Sequence, residues 1–225
     1  MNTKGSKKAA PKSPLRIVLY GPQGSGKGTQ AEVLAAKFDL PIITAGNILR
    51  SAMHKNTPFG RSIKRILDRG GLLPNPMTNK LMEPALKKFS RTGFILDGFP
   101  RTMPQLRFVE KIAPPNVVVL LHLSDAEAVR RLSNRRVCRR EHIYHLLSKP
   151  PRRAGICDID GLPLVQRHDD TPVAIRERLK LFHEQTEQVL RYFRKRGILV
   201  TVDGRPSILK VSQALQQALK VFLAQ

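Results

Sequence analysis

The chain has 225 residues, with 40 Lys+Arg against 17 Asp+Glu and a formal net charge of +23, so it favours polyanionic partners and repels cations. Hydrophobic residues make up 41% and charged residues 25%, an ordinary globular composition that excludes wholesale disorder. The longest strongly apolar run, residues 117–121, is too short for a membrane span, the N-terminus lacks a signal-type apolar segment, and two cysteines exclude a disulfide scaffold.

In chain order, residues 1–14 hold four lysines and no acid, the composition of a basic, disordered arm. The β-branched run 16–20 reads as a buried strand that stops at Gly21-Pro22. A helix is predicted over 27–38, where Ala31, Leu34, Ala35 and Phe38 share one face. Further buried strands are predicted at 42–43, 94–96, 117–123 and 198–202, with helical stretches near 47–55, 61–69, 78–90, 125–136, 173–196 and 207–223. That alternation implies an α/β fold with a mostly parallel sheet covered on both faces. Residues 137–170 lack periodicity and contain Pro150, Pro151, Gly155, Gly161 and Pro163, the pattern of a functional lid rather than slack chain.

The segment from Gly21 to Thr29 lies between the first strand and the first long helix. Its Gly21…Gly26-Lys27 spacing is that of a P-loop, with Gly28 where Ser or Thr is usual. Glycines let successive backbone N–H groups curl toward phosphate oxygens, the helix N-terminus adds partial positive charge, and Lys27 supplies an ammonium. With no hydroxyl at Gly28, a direct Mg²⁺ ligand from this loop falls to Thr29 or is replaced by water.

Beyond Gly26–Gln30 (GKGTQ), four further blocks follow in order: Gly46-Asn47-Ile48-Leu49-Arg50, residues 96–105 (LDGFPRTMPQ), Asn134-Arg135-Arg136, and Arg167-His168-Asp169-Asp170-Thr171-Pro172 with Arg178-Leu179. Together they resemble adenylate kinases of the long-lid type, over about residues 15–222. The resemblance implies a P-loop NTPase-like three-layer fold with a five-stranded parallel sheet. It implies a core over 15–43, 74–135 and 174–225, an AMP-binding lobe over 44–73 and a lid over 136–173. It also implies phosphoryl transfer from Mg·ATP to AMP in a cytoplasmic monomer. Carried over residue by residue, Gly24, Ser25, Gly26, Lys27, Gly28 and Thr29 hold the ATP phosphates. Arg131 lies against the adenine, and Tyr144, with His145 after it, falls at a lid position near the ATP. Arg50 and Arg101 clasp the AMP phosphate, while Arg135, Arg167 and Arg178 close on the transferred phosphoryl. Gln105 reads the AMP base in a pocket lined by Ala45, Leu72, Leu73 and Gly98, and Asp97 stands near metal-bound water.

Two stretches depart from the family pattern. Thr44-Ala45-Gly46-Asn47 has alanine and asparagine where a hydroxyl and a carboxylate are usual; the Ala-Gly pair also occurs in UMP/CMP kinases, which leaves another nucleoside monophosphate as the alternative acceptor. In the lid, the positions that hold zinc in some relatives read Cys138-x₂-Glu141 and Cys157-x₂-Asp160, with His142 beside Glu141. Two cysteines, Asp160 and either Glu141 or His142 make a mixed set for structural zinc. A lid fastened by hydrogen bonds, with Cys138 and Cys157 as small buried residues, is the favoured expectation and zinc the alternative. The arm contributes +4 of the charge and seven cations belong to phosphate handling. The remaining excess is the sole ground for a nucleic-acid partner; together with Asn47 in place of the usual carboxylate, it motivates the alternative of a basic P-loop nucleic-acid-binding protein with weak kinase activity.

Overall fold

β1 (Arg16–Tyr20) is buried along nearly its whole length, since its apolar run leaves no polar face to turn toward water. In the computed structural model, which describes residues 14–69 and 71–224, β1 is the centre of a five-stranded sheet. Its order is β2 (Ile42–Thr44), β3 (Phe94–Asp97), β1, β4 (Val117–His122), β7 (Leu199–Asp203), and every pairing is parallel. Of the basic arm read over residues 1–14, only Pro14 is among the described residues.

Successive strand residues point to opposite faces, and two apolar layers result. Val18, Leu96 and Val118 pack with α4 (Asn75–Phe89), α5 (Met103–Ile112) and α8 (Glu187–Lys195) through Met82, Leu86, Leu106, Val109 and Phe193. Ile17, Leu19, Ile95 and Val119 face α1 (Lys27–Phe38) and α9 (Ile208–Leu223) through Leu34, Leu215 and Leu219. The three layers follow from strands that are apolar on both sides. β1 lies between β3 and β4, so the chain departs in opposite directions on either side of it. The crevice beyond its carboxyl end is the place such sheets reserve for ligands.

Two smaller units rise from that edge. α2 (Ala45–Met53) and α3 (Pro58–Asp68) enclose a cluster of Ala52, Ile63 and Leu73. The Thr57 hydroxyl caps α3 by accepting from Gly60 N, with Pro58 at the first helical position. After α6 (Asp125–Ser133), β5 (Arg135–Val137) and β6 (Ile143–His145) form an antiparallel pair. Bridges Val137–Val165, His145–Lys149 and Ile156–Pro163 extend that pair into a small unit around Cys138, Tyr144 and Cys157.

Three elements differ from expectation. α5 was not foreseen: a proline at each end of 104–115 hides it, although Thr102 accepts from Gln105 N as an N-cap and Pro104 fits the first turn. The helix expected over 125–136 stops at Ser133, because Arg135 opens β5 of the antiparallel pair. The helix expected over 173–196 is α7 (Pro172–Leu181) running through a π-helical turn at 182–186 into α8. Among the described residues, no helix is long and apolar enough to cross a membrane.

Candidate active site

The P-loop bends as its glycines allow. At Gly21, with φ 145°, a Cβ would come within 2.5 Å of both Leu121 O and Ser25 Oγ. Gly24 and Gly26 also have positive φ, which favours glycine. The first turn of α1 has no acidic residue and no side-chain cap, so its N–H groups remain available to an anion. Lys27 Nζ donates to Gly21 O (2.8 Å) and Pro22 O (2.9 Å). Burial pushes its pKa down from 10.5 to about 8; Asp97 raises it, while Arg101, Arg135 and Arg178 lower it further. Asp97 Oδ1 and Ser25 Oγ are buried without partners.

These groups border a cleft of about 1210 Å³. Its walls include Gly24, Gly26, Lys27, Gly28 and Thr29 from the P-loop, Arg50 from α2, Arg101 after β3, and Arg131, Arg135, Arg167 and Arg178. The fully buried Asp170 orders the last group. It accepts from Arg135 Nε (2.8 Å) and Nη2 (2.5 Å) and from Arg178 Nη2 (2.9 Å). Asp169 Oδ2 takes Arg178 Nη1 at 2.7 Å. A buried carboxylate is tolerable when its oxygens are filled by such forked donors. Arg167 is pushed down to about 10, first by burial and then by Arg135 and Arg50. Burial likewise lowers Arg101, with Asp97 opposing. Cations crowded this closely are stabilised by any polyanion that enters.

On the opposite wall Arg50 Nη2 donates to Asn47 Oδ1 (2.6 Å) and Arg101 Nε to Gly98 O (2.9 Å). Arg101 follows the cis Phe99–Pro100 peptide. Gln105 is buried yet borders the cleft; its Oε1 accepts from Arg101 N (2.8 Å) and its Nε2 donates to Asn75 Oδ1 (3.1 Å). Asn75, which also accepts from the Thr102 hydroxyl at 2.8 Å, fixes the Gln105 amide and was not singled out from sequence. Ala45, Leu72 and Gly98 line this wall, whereas Leu73 is buried in the α2–α3 cluster.

Arg131 reaches across to Gly204 O and Arg205 O (both 2.9 Å), anchored by Glu127 Oε1 at 2.7 Å. Tyr144 borders the same cleft although most of its side chain is buried, and its hydroxyl accepts from Asp158 N (2.7 Å). The neighbouring His145 offers the free polar atom. Its Nδ1 accepts from Leu147 N and Ser148 N, so the proton sits on Nε2, which is buried and unpartnered.

The small unit around β5 and β6 brings together the four donors Cys138, His142, Cys157 and Asp160, whose ligand atoms all lie within 4.8 Å of one another. Cys138 Sγ is 3.4 Å from His142 Nδ1 and 3.2 Å from Asp160 Oδ2. Cys157 Sγ is also 3.4 Å from His142 Nδ1, and Asp160 Oδ2 is 3.0 Å from the same nitrogen. Burial, helped by the Asp160 contact, pushes the Cys138 thiol up. The choice between Glu141 and His142 therefore falls to His142. Glu141 has φ 67° and sends its carboxylate into the cleft, to Arg50 and Arg167.

A parallel sheet with a P-loop at its central strand, opposed by arginines from two flanking units, defines a nucleoside monophosphate kinase, a class of P-loop phosphotransferase. The family model for adenylate kinase matches residues 19–198. Similar proteins named adenylate kinase come from Petrotoga mobilis (37% identity, 92% of this chain and 99% of that protein) and Streptomyces avermitilis (36%, 92% and 97%). A third, from Methanosarcina acetivorans, is 38% identical over 92% of this chain and all of that protein. The chain belongs to the adenylate kinase family.

Proposed function

We infer that the protein catalyses reversible phosphoryl transfer from Mg·ATP to AMP, giving two ADP. One observation carries this reading: Lys27 and the arginines Arg50, Arg101, Arg135, Arg167 and Arg178 all border a single cleft. Phosphoryl transfer asks little covalent chemistry of a protein; it needs in-line positioning and cationic cover for charge spreading over the phosphoryl oxygens.

In this reading the amides of Gly24–Thr29 hold the ATP phosphates and Lys27 exchanges its loop carbonyls for phosphate oxygens. Arg131 and the Nε2–H of His145 flank the nucleotide. Arg50 and Arg101 hold the AMP phosphate, Gln105 reads its base, and Arg135, Arg167 and Arg178 cover the transferred group. Asp170 keeps two of these arginines aimed before substrate arrives, so little reorganisation is left for the reaction. Closure of the lid excludes water, the competing acceptor. The unpartnered Asp97 carboxylate and the Thr29 hydroxyl on the same cleft suit the hydrated shell of Mg²⁺, which when bound neutralises phosphate charge.

Cys138, His142, Cys157 and Asp160 suit structural Zn²⁺, since two sulfurs, one ring nitrogen and one carboxylate oxygen already converge. That convergence favours metal over the purely hydrogen-bonded lid expected from sequence. The cleft is built by one chain and both thiols are free, which supports a monomer in a reducing cytoplasm.

Purified protein supplied with Mg·ATP and AMP should form two ADP for each AMP consumed. Phosphate release from ATP without need of AMP would contradict the assignment.

A further inference from the structure

Glu141, a candidate metal ligand by sequence, stands apart from the converged Cys138, His142, Cys157 and Asp160. Its Oε2 lies 3.1 Å from Arg50 Nε on the α2–α3 side and accepts a hydrogen bond from Arg167 Nη2 on the lid side. The nearby carboxylates are committed elsewhere: Asp169 to Arg178, and Asp170 to Arg135 and Arg178. Glu141 is thus the acidic group that joins Arg50 to Arg167 among the described residues. Its backbone is held at φ 67°, in a turn closed by Glu141 N to Cys138 O at 2.9 Å. Long side chains seldom adopt that region, and here it turns the carboxylate away from the Cys/His cluster and toward the arginines.

We propose that Glu141 is a positioning residue that mimics substrate phosphate: it pairs Arg50 with Arg167 in the ligand-free enzyme, and AMP must displace it to bind. The inference rests on the assignment of Arg50 and Arg167 to phosphate. A carboxylate offers one charge and two oxygens, whereas a phosphate monoester offers up to two charges and three oxygens, so phosphate wins the exchange. The observed affinity is nevertheless lowered by the free energy of the pairing that is broken. The displaced carboxylate then faces an anion, which lowers affinity further. Glu141 therefore keeps the two arginines ordered and sets how tightly AMP is held.

Glu141→Gln keeps the length of the side chain and removes its charge. The variant should bind AMP about 5-fold more tightly or better by calorimetry and in KM, with a smaller change for ATP. Its ligand-free melting temperature should fall, and the deficit should shrink at saturating AMP, because the lost pairing exists only in the ligand-free state. A residue that merely packs the lid would lower the melting temperature without tightening AMP. Unchanged or weaker AMP binding in the Gln variant overturns the inference. Arg50→Ala separates this from the underlying assignment. If Arg50→Ala raises the KM for AMP while Glu141→Gln does not lower it, only the role of Glu141 fails. If Arg50→Ala leaves the KM for AMP unchanged, the Arg50 assignment fails and the inference with it.

Discussion

Under the proposed function, Lys27 shows the cost of keeping a phosphate site ready. Its pKa is lowered from 10.5 to about 8, so the ligand-free fold binds fewer protons than the unfolded chain between those values. Stability contributed by this group therefore rises as pH climbs from about 8 toward 10.5, and at neutral pH its charge is a burden. Bound polyphosphate supplies the missing counter-charge and raises the pKa again. ATP binding should take up a proton above pH 8 and almost none well below it, as read by calorimetry in buffers of differing ionisation enthalpy. Lys27→Met should remove that uptake and lower kcat on the order of 100-fold or more; uptake that survives the substitution would place the proton elsewhere. Lys27 and the arginine blocks were legible from sequence because their spacing and neighbours are themselves the signal. Asp170 as partner of Arg135 and Arg178, and Asn75 as partner of Gln105, were not. Asp170 meets Arg135 across 35 residues and Asn75 meets Gln105 across 30, and an isolated Asp or Asn is otherwise a turn or cap residue.

The lid shows the same limit at the level of an element. The sequence announced an insertion through its lack of periodicity and its Pro/Gly content, yet it left Glu141 and His142 indistinguishable. What separates them is one residue in the left-handed region, which reverses the direction of adjacent side chains. The helix α5 was missed for a related reason: prolines are read as breakers, although one in the first turn is compatible with a helix. If the four lid donors hold zinc, purified protein should contain about one zinc per chain by elemental analysis. Chelation, or Cys157→Ser, should lower the melting temperature of the lid and the activity that depends on its closure. Metal-free protein with an unchanged melting profile would return the lid to hydrogen bonds alone.

For the whole molecule, parallel pairing on both sides of β1 fixes where the cleft opens, and the two flanking units supply its walls. Part of the +23 charge therefore converges on the cleft, while exposed cations such as Arg152 and Arg153 lie outside it. The family resemblance made the three-layer sheet legible in advance. How far each lobe leans over the cleft was not legible, because it depends on contacts such as Glu141–Arg50 between segments distant in sequence. In the proposed function the choice of acceptor falls to the wall of Ala45, Leu72, Gly98 and Gln105, with Ala45 and Asn47 as the departures that raised a pyrimidine nucleotide as the alternative. A site built to hydrogen-bond one base discriminates strongly against another that leaves its polar groups unpaired. The most direct measurement is kcat/KM for AMP, GMP, CMP and UMP with Mg·ATP as donor. AMP should lead on the order of 100-fold or more; a pyrimidine monophosphate equalling or exceeding AMP would contradict the assignment of the acceptor.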